Sequence, residues 1–583
     1  MVRRISAALV VCTFGTLAIS VVRPQVHADS ATHRVTLPKQ HLRPGSLAMD
    51  PGGTSVFVAL NRANRIVEMD LKQGRIVREF PTGKLPKAVA ISHGALCVVD
   101  DDRSPLVIPL GGGDTRRVPL PNLPKETQIA LTHEPPGWLA WLLGSLPVPQ
   151  SAIIADPCPQ VRLQPLNNQH TAQQLRAIGP FRHAMSIPLQ TGIDTDRRLF
   201  VNRGGAVGFS GALGFAGGGS QPWDGSAAAL ASQSRLTDVS FTVPLDLENR
   251  AAVLPSAALY HAGRDVYFVT ASSSDCILVI DGSRLRAFLL DEVNAGSDLP
   301  GLAARYVVDR IATPGFPGPM ALSLDGKTLV VANVLDDSLS IIECNPTPRL
   351  LKTIPLSQKI DDAVSRGERL FHSASLSKSS RFACASCHPG GHMDGLEWAM
   401  PGDELGFRTT KTLRGAAQTA PYGWRGDDAT LEVHIRHTLK HLFQHEPMDR
   451  EIADLTAYIQ SLPPLPGDEL SIDAPNDVVQ GQVVFHSTGG CVRCHSGRTM
   501  QDGKTHDVGT GGHIDTPSLR GLALRTKFLH DGRADFPAHI FQAGARSRNE
   551  KDCFVHEPHR HGNYTKLSDE EQRHLIAFLA TLR

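Results

Sequence analysis

The sequence has almost no net charge, because 59 Lys and Arg residues stand against 58 Asp and Glu residues. A balanced chain has no large basic field, so general attraction to nucleic acid or to an anionic membrane surface is excluded as the basis of its function. We therefore expect no nucleic-acid partner. Any partner must be steered by charge that is local to one part of the surface.

Long apolar stretches are also scarce. After the N-terminus, no segment is long and apolar enough to predict a membrane span, whereas Gly (52) and Pro (41) are abundant. This composition favours a turn-rich β architecture over much of the chain. At 583 residues the chain also exceeds the roughly 250–300 residues that one hydrophobic core serves. We expect three or more domains.

Residues 1–28 have the pattern of an export signal. Arg3 and Arg4 precede the apolar residues 5–22, and Val-His-Ala at 26–28 offers a small-residue cleavage site. The pattern predicts cleavage after Ala28 and a soluble bacterial protein that is periplasmic or secreted, with no membrane span after cleavage. An uncleaved anchor is the alternative, because about 18 apolar residues can just span a bilayer.

The ten cysteines divide into classes. Four belong to two C-x-x-C-H motifs and Cys12 lies in the signal, which leaves an odd number. Cysteines that lie in or beside apolar β-like runs are expected to be buried and to pack as small apolar side chains. The disulfide pairing of the five cysteines outside the motifs and the signal stays open. The buried class is Cys97, Cys276 and Cys344, and the other two are Cys158 and Cys553.

A loose repeat organises the N-terminal half. Residues 53–70, 263–281 and 326–343 each contain a Gly turn, two β runs around a polar tip and a closing acidic residue. Recurring hairpins of near-equal length indicate propeller blades. With Leu-Asp-Gly-Lys-Thr-Leu-Val-Val-Ala-Asn at 324–333, the region resembles the YVTN-type β-propellers. The resemblance covers about residues 40–355 and implies an all-β propeller domain over 29–355, although the repeat fades between about 112 and 250. The length of the region fits about seven blades.

Two similar units follow, at residues 360–465 and 474–583. Each opens with Gly-x-x-apolar-aromatic, reaches C-x-x-C-H, continues to Thr-x-x-Leu-Arg-Gly and closes with a helix. In the second unit, Ser568-x-x-Glu571 is a capping box ahead of apolar residues at helical spacing. The parallel order predicts two tandem all-α cytochrome c domains.

Cys384-Ala-Ser-Cys387-His388 and Cys491-Val-Arg-Cys494-His495 carry the chemistry. Two thiols on one turn can reach the two vinyl groups of a porphyrin, and the following His turns its imidazole under the iron. The motifs predict two covalently bound haem c groups with His388 and His495 as proximal iron ligands. A zinc site and a thioredoxin-like redox pair are the alternatives.

The distal iron ligand decides function, because Met or His gives an electron carrier whereas an open position admits peroxide. In the second unit the candidates are His530, His539 and Met500. His434 and His441 lie seven positions apart on one predicted helix face, so at most one of them should bind iron. The candidates of the first unit are Met393, Met400, His434, His437, His441 and Met448.

The two units resemble the bacterial di-haem cytochrome c peroxidase and MauG superfamily. The resemblance lies in the paired C-x-x-C-H motifs and in residues 506–511, 516–521 and 530–533 (His-Asp-Gly-Arg). It implies that one haem reacts with hydrogen peroxide and the other transfers electrons from a donor such as a small cytochrome or cupredoxin. It also implies a possible calcium ion between the domains.

Two departures separate the chain from that family. The Met that family peroxidases use on the electron-transfer haem falls near Ala543, where no Met replaces it. Trp424 stands where the second unit has His530. Trp424 could carry charge between the haems, although packing is the commoner role for a Trp beside a Gly turn.

Three functions are therefore compared. The leading interpretation is a di-haem peroxidase-like oxidoreductase whose propeller serves a substrate or partner. The alternative is a non-catalytic periplasmic electron-transfer protein with a partner-binding propeller. A third gives the propeller its own cofactor, as in haem-bearing nitrite reductases or quinoprotein dehydrogenases, but its Trp and His residues are few and scattered. They are Trp138, Trp141, Trp223, His93, His133, His170, His183 and His261.

Overall fold

The computed structural model describes most of the chain. The described residues are 39–92, 94–101, 106–117, 127–131, 161–165, 197–201, 207–211, 229–231, 245, 247, 250–261, 263–291, 302–395, 397–399, 407–465, 474–510, 512–525, 527–534, 537–541 and 561–582. The predicted export signal, Cys158 and Cys553 lie outside these ranges. None of the helices in the described ranges has the length and hydropathy that crossing a bilayer requires.

Among the described residues of the N-terminal half, four sheets share one topology. Each has four antiparallel strands in sequence order. The three hairpins predicted from the sequence are confirmed as the two middle strands of the first, third and fourth of these sheets. The strands of the four sheets are Pro44–Met49, Ser55–Leu60, Arg65–Asp70 and Arg75–Pro81; Ala88–Ser92, Ala95–Val99, Leu106–Pro109 and Arg116–Arg117; Pro255–His261, Val266–Ala271, Cys276–Asp281 and Val307–Ala312; and Pro317–Leu322, Thr328–Asn333, Ser338–Glu343 and Arg349–Pro355.

Two smaller sheets lie between the second and third four-stranded sheets in the sequence. One has two strands and the other three, in a mixed parallel and antiparallel arrangement. The predicted number of blades, about seven, stays a prediction. The strands are Thr127–Leu131 and Val161–Pro165, and Arg197–Val201, Val207–Gly211 and Ala229–Ala231.

The burial of each strand depends on its place in the sheet. Ser55–Leu60 and Val266–Ala271 are buried throughout. Other sheets cover both faces of Ser55–Leu60, whereas Val266–Ala271 lies between another sheet and the helix Gly282–Asp291. The fourth strands, Arg75–Pro81 and Arg349–Pro355, are mostly exposed. Buried middle strands with an exposed outer edge are the arrangement of a propeller blade.

Side-chain packing brings the first and last four-stranded sheets together. Val58 and Val67 of the first sheet share a core with Ala332 and Ile341 of the last. The first sheet also packs on the second, and the last sheet on the third. Strands separated by almost 300 positions therefore meet side by side, as they do where a circular array of blades closes.

The cysteines of the β region behave as the sequence predicts. Cys97 and Cys276 are buried in strands, and Cys344 is buried directly after one. His261 is also structural, because its Nε2 donates a hydrogen bond to the Gly326 carbonyl oxygen at 2.8 Å. This contact links the third and last four-stranded sheets.

Helices dominate the C-terminal part, which we divide into a first helical segment (residues 360–465) and a second helical segment (residues 474–582). In both, the opening helix packs on the closing helix around an aromatic pair, Phe371 on Tyr458 and Phe485 on Phe578. The α-helices within the described residues are Gly282–Asp291, Ala363–His372, Cys384–Cys387, Leu431–His437, Asp449–Ser461, Asn476–His486 and Asp569–Leu579.

Glycine allows this helix packing. A Cβ atom on Gly367 would lie 1.9 Å from the carbonyl oxygen of Asp454, and one on Gly481 would lie 1.9 Å from that of His574. In both segments, a glycine on the opening helix thus allows close contact with the backbone of the closing helix. The predicted capping box also forms, with Ser568 and Glu571 each accepting from the other's backbone N–H.

The expectation of purely α-helical segments needs one correction. Each contains a short antiparallel hairpin, because the loop after C-x-x-C-H doubles back on itself before the closing helix. Single helical turns link these elements. The hairpins are Glu397–Ala399 with Phe407–Thr409 and Thr505–Asp507 with His513–Asp515. In the part of the chain that the structure describes, the 3-10 turns are Ser272–Ser274, Leu302–Arg305, Ala374–Leu376, Pro389–Gly391, Ala416–Gln418, Cys491–Arg493, Leu522–Leu524, Pro537–Phe541 and Tyr564–Lys566, with a π turn at Thr438–Leu442.

The β region and the first helical segment share a core and a buried ion pair. Val253 and Leu254 pack into the apolar cluster of the first helical segment. Arg43, ahead of the first strand, pairs with Glu368 on the opening helix. The β region therefore stabilises the first helical segment directly.

Candidate haem-binding sites

The first site consists of Cys384, Cys387 and His388. A single helical turn, Cys384–Cys387, holds both thiols, and the Ser386 hydroxyl accepts a hydrogen bond from the Ala383 N–H at its start. His388 Nδ1 donates to the His392 carbonyl oxygen at 3.1 Å. Because that carbonyl can only accept, the proton is on Nδ1 and the lone pair of Nε2 is left for a metal.

The second site, Cys491, Cys494 and His495, is built in the same way. Its cysteines lie on and directly after the turn Cys491–Arg493. His495 Nδ1 donates to the Met500 carbonyl oxygen at 3.2 Å, which again leaves Nε2 for a metal. Both motifs therefore present two thiols and one oriented imidazole.

The protonation states suit haem attachment. Burial lowers the pKa of His388 and of His495 to about 4, so both imidazoles are neutral, the form that binds metal, at neutral pH. Burial raises the pKa of Cys384 to about 12 and that of Cys491 to about 11. These thiols differ from the readily ionised cysteine of a thioredoxin-like pair, whose pKa is lowered.

Two half-buried arginines provide a test of whether a haem fits the second helical segment. Within the described residues, Nε of Arg520 and Nε of Arg525 are buried and have no hydrogen-bond partner, although Arg525 also donates to the Ser518 carbonyl oxygen at 2.8 Å. Burial lowers the pKa of Arg525 to about 10. Because a buried cationic donor without an acceptor is costly, the site favours an anionic ligand, and haem carries two propionate carboxylates. The donor set and the charges fit haem.

One cluster among the described residues could instead bind a free metal ion. Ligand atoms of Cys494, Asp502 and His506 lie within 4.8 Å of one another. His506 Nε2 and Asp502 already share a hydrogen bond of 2.7 Å. A thioether bond at Cys494 would remove its thiolate from this cluster, so the cluster and haem attachment compete for one sulfur.

Among the distal candidates of the first site, His434 has the strongest connection to the motif. Its Nδ1 donates to the Asp428 carboxylate at 2.8 Å, and its ring stacks on Tyr422 at 6.0 Å. After burial, the charge of His434 is a further cause of the lowered pKa of His388. His441 is exposed on the π turn, with its ring 6.0 Å from His437.

The methionines of the first helical segment differ in their surroundings. Met393 is buried, whereas Met448 is 65% exposed at the start of the closing helix. Met400 lies outside the described residues. Their roles as ligands stay predictions.

The candidate distal ligands of the second site also differ in their surroundings. Met500 is buried in the apolar core, and its carbonyl oxygen holds the proximal His495. His530 is buried with its ring 6.3 Å from that of Trp424. The side chain of His539 is outside the described structure.

The sequence analysis missed His561. Its ring lies 6.3 Å from the ring of His495, with the two planes inclined by 24°. Its position seven residues before the capping Ser568, in a His-rich stretch, was the available signal. Nothing in the local pattern specifies that this stretch reaches the second site.

A group of side chains connects the two helical segments. Trp424 Nε1 donates to the Thr409 carbonyl oxygen at 2.8 Å, and the Thr409 N–H donates to the His530 carbonyl oxygen at 2.7 Å. Lys411 Nζ lies 4.5 Å from the centre of the Trp424 ring and 3.0 Å from the Asp515 carboxylate. Trp424 and His530 therefore meet at the contact of the segments.

This arrangement, with its oriented imidazoles, agrees with the result of comparison with known families. Residues 361–466 match the family model of di-haem cytochrome c peroxidase. The match covers the first site and the closing helix of the first helical segment. The peroxidase resemblance seen in the sequence is thereby confirmed for this part of the chain.

Several solved structures resemble part of this chain. A hydrazine synthase chain from Kuenenia stuttgartiensis is 22% identical, with 39% of this chain and 89% of that chain covered and a TM-score of 0.33. A variant of the diheme peroxidase BthA from Burkholderia thailandensis is 16% identical, covering 41% and 90%, with a TM-score of 0.30. Virginiamycin B lyase from Staphylococcus aureus is 13% identical, covering 56% and 88%, with a TM-score of 0.25. No curated protein matches the sequence.

Proposed function

We propose that the protein is an exported di-haem c-type cytochrome and a peroxidase-like oxidoreductase. The proposal gives it two tandem cytochrome c domains, at 360–465 and 474–583, behind a propeller at 29–355. The observation that carries it is the matched construction of the two sites. In each, a turn bears two cysteines and a backbone carbonyl orients the following histidine.

The residues have distinct roles in this proposal. Cys384, Cys387, Cys491 and Cys494 form the thioether bonds, and His388 and His495 bind iron through Nε2. Arg520 and Arg525 supply positive charge for propionates. When bound, the haem iron supplies electron transfer and, where one axial position can open, reaction with hydrogen peroxide.

We assign the peroxide reaction to the first site and name His434 as its distal residue. The Asp428 carboxylate accepts a hydrogen bond from the His434 Nδ1 proton and so fixes the tautomer and the orientation of the ring, as a carboxylate does for a catalytic base. The Nε2 of His434 is then able to bind iron in the resting protein or to accept a proton when that position opens. His441, which is exposed, is the weaker of the two helix candidates.

Electrons enter through the second site in this proposal. Trp424 lies at the contact between segments and supports a role in electron transfer between the sites. The proposed donor is a small cytochrome or a cupredoxin in the periplasm or outside the cell. The propeller is proposed as the surface that recognises a partner, and a calcium ion between the domains remains a prediction from family resemblance.

The alternative is a non-catalytic electron-transfer protein in which both haems stay six-coordinate. The specific observation in its favour is that an imidazole stands near each proximal histidine, His434 at the first site and His561 at the second. Two bis-histidine haems would leave no position for peroxide.

Low-temperature EPR of the full-length protein, after its haem content has been measured, separates these functions. The peroxidase-like proposal expects that adding one electron per protein leaves a ferric haem that becomes high-spin and binds peroxide. His434→Ala should give that high-spin signal before reduction. A remaining ferric haem that stays low-spin and inert to peroxide would establish the electron carrier instead.

A further inference from the structure

We propose that His561 is the second axial ligand of the haem attached at Cys491 and Cys494, so that this haem has two histidine ligands. The inference rests on the proposed function, in which this motif carries a haem. The sequence has no methionine near Ala543, where family peroxidases have the ligand of this haem. His561, which precedes the closing helix, would take that role.

The distance between the two imidazoles supports this pairing. An imidazole nitrogen binds a first-row metal at about 2 Å and lies about 1 Å from the centre of its ring, so two axial imidazoles keep their ring centres about 6 Å apart. The rings of His495 and His561 are 6.3 Å apart, and their planes differ by 24°.

The orientation of His495 is compatible with the pairing. Its Nδ1 is used by the Met500 carbonyl oxygen, so Nε2 is its metal-binding atom.

The backbone around His561 is fixed to the haem-attachment loop. The Asn563 N–H donates to the Gly489 carbonyl oxygen at 3.0 Å, and Asn563 Nδ2 donates to the Thr488 carbonyl oxygen at 3.2 Å. Thr488 also donates to Glu571 on the closing helix at 3.1 Å. The loop that leads into Cys491 therefore holds the residue two positions after His561.

The other candidates in the second segment are used differently. Met500 contributes its carbonyl oxygen to His495 and buries its side chain in the apolar core. His530 faces Trp424 at the contact with the first helical segment. His561 is the described candidate whose ring faces the proximal histidine.

The inference assigns different roles to the two haems. A haem with two strong histidine ligands is low-spin and six-coordinate, and its potential is lower than that of a His/Met haem. The second haem is therefore an electron-transfer centre, and peroxide chemistry is confined to the first site.

The test compares full-length His561→Ala and His561→Met with the wild-type protein. The wild type should hold two covalent haems and show a low-spin signal from the second. In His561→Ala, with two haems retained, half of the haem should become high-spin, and added imidazole should restore the low-spin signal. His561→Met keeps a ligand and should raise the potential of one haem, which covers the case in which the alanine variant does not fold.

His486→Ala is the matched control, because His486 is an exposed histidine at the end of the opening helix of the same segment. Its EPR spectrum and both potentials should equal those of the wild type. An unchanged low-spin spectrum and unchanged potentials in both His561 variants, with two haems present, would overturn the inference alone. A wild-type protein without haem at Cys491 and Cys494 would overturn the proposed function and the inference with it.

Discussion

At the scale of single residues, the two sites depend on short-range geometry that the motif itself provides. A turn brings the cysteines together, and the carbonyl oxygens that orient His388 and His495 belong to residues only four and five positions further on. A local sequence can specify such contacts without help from distant parts of the chain. The covalent and proximal residues are for this reason predicted from the motif alone.

Removing the thiols of one motif should remove one covalent haem. We expect Cys384→Ala with Cys387→Ala to lower the intact mass by one haem and leave the second site loaded. The matched double variant at Cys491 and Cys494 should lose the other haem. Mass spectrometry of the denatured proteins measures both, and a double variant that keeps two attached haems would refute the assignment of its motif.

Trp424 should matter for the rate of electron transfer rather than for haem binding. Trp424→Phe removes the indole that contacts Thr409 and faces His530 while keeping an aromatic ring. We expect slower electron equilibration between the haems at unchanged haem content and potentials, measured by rapid-mixing spectroscopy. Trp398→Phe in the same segment is the control and should leave the rate unchanged. Equal rates in both variants would make Trp424 a packing residue.

At the scale of elements, the helix pairs explain why each segment begins with a Gly-x-x-apolar-aromatic pattern. The glycine lets the backbones of the opening and closing helices touch, and the aromatic residue four positions later fills the adjacent space. The pattern predicted the helices correctly. The structural role of the glycine and the aromatic residue becomes visible only where the opening helix packs on the closing helix.

Adding a methyl group at this contact should be costly. Gly367→Ala and Gly481→Ala each place Cβ 1.9 Å from a backbone carbonyl oxygen that cannot move without displacing its helix. We expect each to destabilise its segment by about 1–3 kcal/mol or more. Gly111→Ala, at a site with no atom within 4 Å of the new Cβ, is the control. Denaturant unfolding measures the difference, and equal stability of all three variants would contradict the proposed helix contact.

At the scale of the whole molecule, the first helical segment is built onto the β region. Leu254 completes its core, and the Arg43 guanidinium is buried against Glu368. Burial is the main cause that lowers the pKa of Arg43, and the negative charge of Glu368 opposes it. The junction is therefore sensitive to the loss of one charge.

Glu368→Gln should reveal this dependence. It leaves Arg43 buried without its closest counter-charge, and breaking a buried pair in this way costs about 3–5 kcal/mol. Glu343→Gln breaks the exposed pair with Arg349 and should cost under about 1 kcal/mol. Unfolding of both variants tests the difference, and a similar small effect would mean that other contacts carry the junction.

The sequence alone determined the features that depend on neighbouring residues. The β-hairpins follow from turns between apolar runs, the helices from their spacing and capping box, and the haem motifs from five consecutive positions. After about residue 112 the repeat fades, so the sequence no longer predicts where further β-hairpins lie. Blade number could not be obtained from a pattern that is no longer regular.

Only the tertiary structure decided which distant residues meet. It placed the first sheet beside the last, Trp424 beside His530, and His561 beside His495. The distal candidates chosen from sequence omitted His561 because 66 positions separate it from His495 in the chain. Hydrogen bonds from Asn563 to the haem-attachment loop join them. Local patterns fix the conformation of a segment, whereas packing between segments fixes which side chains share a site.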